Sequence, residues 1–213
     1  MTTASKAIIS IRYRAIRVRP ARWCVLLCSG LTPVLLTGAW LIADALQPPS
    51  YSPIRQTVSV MSGYGGTDRW IVTTALWVIG ACYFVTAAGM TTLRRPARIG
   101  LVVAGASSFG IAACPEPVHG TTLQHAVFTG IGALAIAVWP ALVTRRDRSL
   151  SALVGIRAST VMVVIFVALL GWFGLEAFRG GAVGLAERVA SSIEICWPFV
   201  VAVALGDARA SSD

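Results

Sequence analysis

"RRPARIGLVVAGASSFGIAAC", residues Arg94 to Cys114, decides how this chain meets a membrane. The stretch is rich in Gly, Ala and Ser, opens on arginines and runs into a polar loop; its apolar part, Ile99–Cys114, is short. Five other apolar blocks flank it, approximately Trp23–Leu46, Trp70–Met90, Thr122–Val143, Ala158–Glu176 and Val189–Leu205. A helix needs about 20 residues to cross a hydrocarbon core of about 30 Å. The blocks therefore make six transmembrane helices, or four with interfacial pieces between them. Of the 213 residues, 56% are hydrophobic and 13% charged, and mean hydropathy is +0.74. An ordinary soluble domain carries about 25% charged residues. So few charges could not cover the surface of a water-soluble fold of this size.

Basic residues select six spans. Lys and Arg number six in residues 1–22, two in 47–69, three in 91–98, none in 115–121, four in 144–157, two in 177–188 and one in 206–213. Alternate connections thus hold fourteen and four. The positive-inside rule then places both termini in the cytoplasm. The expected fold is all-α: a six-transmembrane-helix bundle over residues 23–206, with a basic cytoplasmic arm (1–22) and a short cytoplasmic tail (207–213). Trp23 and Trp139 read as aromatic anchors at cytoplasmic span ends, Trp40 and Trp70 as anchors toward the outer face. The long basic lead, with no A-x-A-like site after a short apolar stretch, reads as an uncleaved anchor.

The net charge of +9 sits mainly beside the spans, in "IRYRAIRVRPAR" (Ile11–Arg22), "RRPAR" (Arg94–Arg98) and "RRDR" (Arg145–Arg148). No aromatic interleaving accompanies these arginines, so no nucleic-acid partner is expected. They suit anionic lipid headgroups, at about 1 kcal/mol per basic residue near the surface. Cys24, Cys28, Cys82, Cys114 and Cys196 show no CxxC and no metal-type spacing. They read as small hydrophobes, and no metal or cofactor is expected.

Within the decisive stretch, Gly100, Ala104 and Ser108 recur at four-residue intervals, and Ala106 and Gly110 form a second small stripe. Small residues let helices approach closely in lipid, which makes this span a candidate for the bundle centre. Pro33 and Pro198 interrupt the first and last spans, and Pro198 removes the hydrogen bond due to the carbonyl of Glu194.

Between spans one and two lies "QPPSYSPIRQTVSVMSGYGGTDRW" (Gln47–Trp70). Ser52 as N-cap, Pro53 at the first helical position and Gly63 as stop define a short outer helix with an apolar stripe of Ile54, Val58 and Met61. Thr67 and Asp68 then cap span two. A phosphate-cradling reading fails, because the glycines lack the lysine and the strand-to-helix context. "YSPIRQTVSVMSGYGGTDRW" and the later "CPEPVHGTTLQH" resemble the bacterial multi-pass membrane family known as domain of unknown function 998. The resemblance spans most of the chain and is most specific in this loop and in the Pro-x-Pro…His stretch. Where members often carry a bulky residue before that proline, this chain has Cys114. The resemblance implies a six-helix bundle in the bacterial cell membrane and brings no activity.

Six of nine acidic residues (Asp44, Asp68, Glu116, Glu176, Glu187 and Glu194) and both histidines fall toward the outer side in this reading. Glu194 lies inside span six, where a carboxylate costs about 3 kcal/mol on insertion scales. It should face the bundle interior and find a partner or a proton. His125, in the first turn of span four behind Thr122 as N-cap, is the best partner by type. Glu116 and His119 occupy the adjacent loop. These four are the expected ligand-binding residues of an outward-facing polar pocket, and no catalytic residue is assigned. Asp44 and Glu176 read as interfacial anchors. A non-catalytic membrane protein that binds a lipid, a small molecule or a protein partner is the first reading, and a homo-oligomer is compatible with it. A membrane-embedded enzyme using Glu/His acid–base or metal chemistry is the alternative, and a structural role for Glu194 the third.

Overall fold

The computed structural model describes residues 21–144 and 155–210, with side chains as far as residue 205. Residues 1–20 of the basic arm, the Arg145–Arg148 cluster and residues 211–213 of the tail lie outside the described residues. Helix α1 (Arg22–Leu46) is followed by a short α2 (Val58–Ser62), then α3 (Trp70–Gly89), α4 (Arg95–Ala113), α5 (Leu123–Val143), α6 (Ile156–Arg179), α7 (Val183–Glu194) and α8 (Trp197–Ala210). No strand occurs among the described residues. Six helical stretches are long and apolar enough to cross a membrane, α7 and α8 together making the sixth, Val183–Leu205. The chain is a multi-pass membrane protein.

Local sequence explains the helix ends. Gln47 is extended (ψ 155°) because Pro48 follows it, and Pro48–Pro49 cannot continue α1. Pro96 enters the first turn of α4, where its missing N–H costs nothing. Thr122 caps α5, its Oγ1 accepting from the His125 N–H at 3.2 Å. Gly180 ends α6 at φ 70°, a left-handed position that glycine takes without strain. Asp68 also lies at positive φ (48°); its side chain caps no helix and accepts from Trp70 Nε1 instead. Pro53–Gln56 form a turn, with Gln56 N–H donating to Ser52 O at 2.8 Å. Helix α2 therefore starts at Val58, and the expected apolar stripe is split, Ile54 exposed and Val58 and Met61 buried.

The spans close a ring. Helix α1 packs on α3, α3 on α4, α4 on α5, α5 on α6, α6 on α7, and α8 returns to α1. The small residues of α4 do bring helices together: a Cβ added at Gly105 would lie 2.9 Å from the Gly80 carbonyl of α3. Yet α4 is a member of the ring, flanked by α3 and α5, and does not form its centre. Trp139 is not an interfacial anchor. It is fully buried, and its Nε1 donates to Ala97 O at 2.8 Å. Sequence blocks and helices agree closely except at the sixth span, which begins at Val183 rather than Val189.

Candidate functional site

Residues from all six spans line one cavity of about 180 Å³, and α2 roofs it with Val58, Ser59 and Ser62. Aliphatic and aromatic groups form most of the wall, with Leu36, Leu76, Ile79, Ile136 and Phe173 from four different helices. Into this wall are set two carboxyl groups, Glu187 and Glu194, and a scatter of hydroxyls.

Three of the serine hydroxyls are spoken for. Ser62 donates to Ser59 O at 2.9 Å, Ser108 to Leu76 O at 2.8 Å and Ser191 to Arg188 O at 3.4 Å. Glu187 accepts from the Val58 N–H and so ties the roof helix to α7. Glu194 is different. It is 5% exposed, and its Oε1 has no hydrogen-bond partner. Thr129 Oγ1, on the same cavity wall, also lacks one. A buried polar group without a partner costs about 1–3 kcal/mol, more when charged, so these two atoms are where the cavity is incomplete.

Glu194 ends α7 for a reason legible in the chain. Pro198 has no N–H for the Glu194 carbonyl, and the helix breaks at Ile195–Cys196 before α8 begins. The Pro33 site behaves otherwise. There the orphaned carbonyl is that of Ser29, and Thr32 Oγ1 donates to it at 2.8 Å, so α1 runs on unbroken. Polar side chains commonly rescue such carbonyls in membrane helices.

Arg188 was invisible to the sequence reading, which counted it as a loop charge. It is 6% exposed and sits one residue after Glu187 on α7. Nη2 donates to Asp44 Oδ1 at 2.7 Å and to the Tyr51 hydroxyl. Nη1 donates to the carbonyls of Pro53, Gln56 and Gly184 at 2.8, 2.9 and 3.0 Å. The Trp40 ring lies 5.5 Å beneath the guanidinium. Burial pushes the Tyr51 hydroxyl up to about 12, against the opposing pull of Arg188, so the phenol stays neutral and its oxygen accepts. Gly184 makes the docking possible, since a Cβ there would lie 2.1 Å from Gln56 O. The loop between α1 and α3 is thus clamped onto α7. Asp44 serves as the counter-ion of Arg188, and Glu176 Oε2 accepts from Ala182 N at 2.7 Å at the α6–α7 turn.

His125 is buried, and its ring does not line the cavity. Its Nδ1 lies 2.7 Å from Cys114 O and must carry the proton, because a carbonyl only accepts. Its Nε2 faces Glu116 Oε1 at 3.8 Å, beyond a hydrogen bond. The chain thus brings His125 to Glu116, one helical turn from Thr129, and leaves Glu194 to the cavity. His119 is exposed in the loop. Among the described residues no group of three His, Cys, Asp or Glu side chains could hold a metal ion. Cys82 is buried, and Cys196 is exposed on the sixth span.

No curated protein and no solved structure matches this chain. A family model, protein of unknown function (DUF998), matches residues 31–204, which take in the cavity, the clamped loop and the broken sixth span. The chain belongs to the DUF998 family.

Proposed function

We propose that this protein is a non-catalytic multi-pass protein of the bacterial plasma membrane that binds a small molecule in the cavity beneath α2. The observation that carries the reading is Glu194: a buried carboxyl group with an unpartnered oxygen, set in a mostly apolar wall. Polar groups this costly to bury in a membrane are biased toward function. Small-molecule sites combine apolar walls with a few placed polar groups in the same way. The arginine asymmetry supports cytoplasmic termini and an outward-facing roof, with anionic headgroups at the opposite, basic face. The space of about 180 Å³ suits a small molecule better than a whole phospholipid, since a cavity of about 150 Å³ holds benzene.

The enzymatic alternative would use His125 with Glu116. Their geometry favours it less than the cavity does, because the imidazole is packed away from the open space. Native mass spectrometry of the purified protein tests the binding reading. A small molecule should accompany the wild-type chain and be lost from Ala133→Phe, which takes up cavity space and leaves both carboxyl groups in the sequence. An empty wild-type protein, together with a change in stability in Glu194→Gln, would leave Glu194 a structural role and overturn the proposal.

A further inference from the structure

Three observations bear on which ligand the cavity accepts, and all rest on its being a binding site. Its lining contains two carboxyl groups and no Lys, Arg or His. Arg188, beside Glu187 on α7, does not line the cavity, and its two terminal nitrogens donate to Asp44, Tyr51 and three carbonyls. The hydroxyl protons of Ser62, Ser108 and Ser191 go to backbone carbonyls. The buried lining atoms that lack a hydrogen-bond partner are Glu194 Oε1 and the hydroxyl oxygen of Thr129, with no side-chain cation in the lining to answer the carboxyl group.

We propose that the cavity binds a small amphiphilic amine, its ammonium against Glu194 and Thr129 and its hydrocarbon body along the aliphatic wall. An ammonium supplies three donors and a positive charge, which Glu194 lacks within the protein. A carboxylate ligand would meet two carboxyl groups and find no cation in the lining. An uncharged alcohol could satisfy one acceptor and leave the charge unanswered. A bare metal ion would leave the hydrocarbon wall unfilled, and about 180 Å³ suits a body somewhat larger than benzene.

Thermal unfolding of the full chain in phosphatidylcholine nanodiscs, followed by tryptophan fluorescence, tests this with three probes of one length: hexylamine, hexan-1-ol and hexanoate. The alcohol controls for partition into the bilayer. Hexylamine should raise the midpoint saturably, with an apparent affinity at least about tenfold above that of hexan-1-ol (a gap of about 1.4 kcal/mol), and hexanoate should do nothing. Glu194→Gln should bring the amine down to the level of the alcohol. Thr129→Val, which keeps shape and charge, should weaken the amine several-fold. Equal binding of hexylamine and hexan-1-ol, or an amine preference that survives in Glu194→Gln, would overturn the amine assignment while leaving the cavity a binding site. Failure of all three probes to bind wild type would sink both readings.

Discussion

Arg188 shows how much one side chain can organise. Its planar fork reaches a carboxylate, a phenol and three carbonyls at once, which a flexible point charge cannot do. Removing one partner of a buried pair leaves an uncompensated charge and costs about 3–5 kcal/mol. Arg188→Ala should lower stability by that order in a denaturant titration and expose the clamped loop to trypsin after Arg55. Arg188→Lys should recover only part of the loss. A variant as stable and as resistant as wild type would show that the clamp is decorative. Sequence alone marked Glu194 because a carboxyl group inside an apolar run is conspicuous. Arg188 escaped notice because "VGLAER" mixes polar and apolar residues and reads as loop, and its partner Asp44 lies 144 positions away. The height at which His125 stands in the ring is likewise a tertiary fact. No spacing in the chain could say that it meets Glu116 and not Glu194.

At the level of the helices, Pro33 and Pro198 form a natural comparison. Thr32 supplies the hydroxyl that lets α1 pass through Pro33. Among the described residues no side chain donates to the carbonyl freed by Pro198, and the helix parts there. Restoring the N–H with Pro198→Ala should make α7 and α8 one rod. Spin labels at the exposed positions Leu185 and Val203 should then report a mean separation changed by several ångströms. An unchanged separation would assign the break to packing within the ring. The apolar blocks foretold the six spans because hydrocarbon length is a strong constraint. They also foretold close helix approach at the small residues on α4, though not the place of that helix in the ring. Those residues serve two purposes, close contact with α3 at Gly105 and space for the cavity at Ala104 and Ser108, and composition cannot separate the two.

For the molecule as a whole, the ring and the arginine distribution make one prediction. With Arg188 assigned to the sixth span, the connections on the α2 side keep only Arg55, Arg69 and Arg179. Reporter fusions at both termini should give cytoplasmic signals, and a cysteine placed at Tyr64, which is exposed, should label from outside the cell. Termini on opposite faces would refute the orientation. The fifth span, α6, is the least buried of the six and the sixth is the most buried, so the costly side chains are gathered on the helix with the most protein around it. Ring closure also orders events at the ribosome. Asp44 enters the translocon with the first span, and its guanidinium partner is not made until the last one emerges. A nascent chain that stalls before residue 188 therefore carries Asp44 without its guanidinium partner, in a crescent of helices not yet closed.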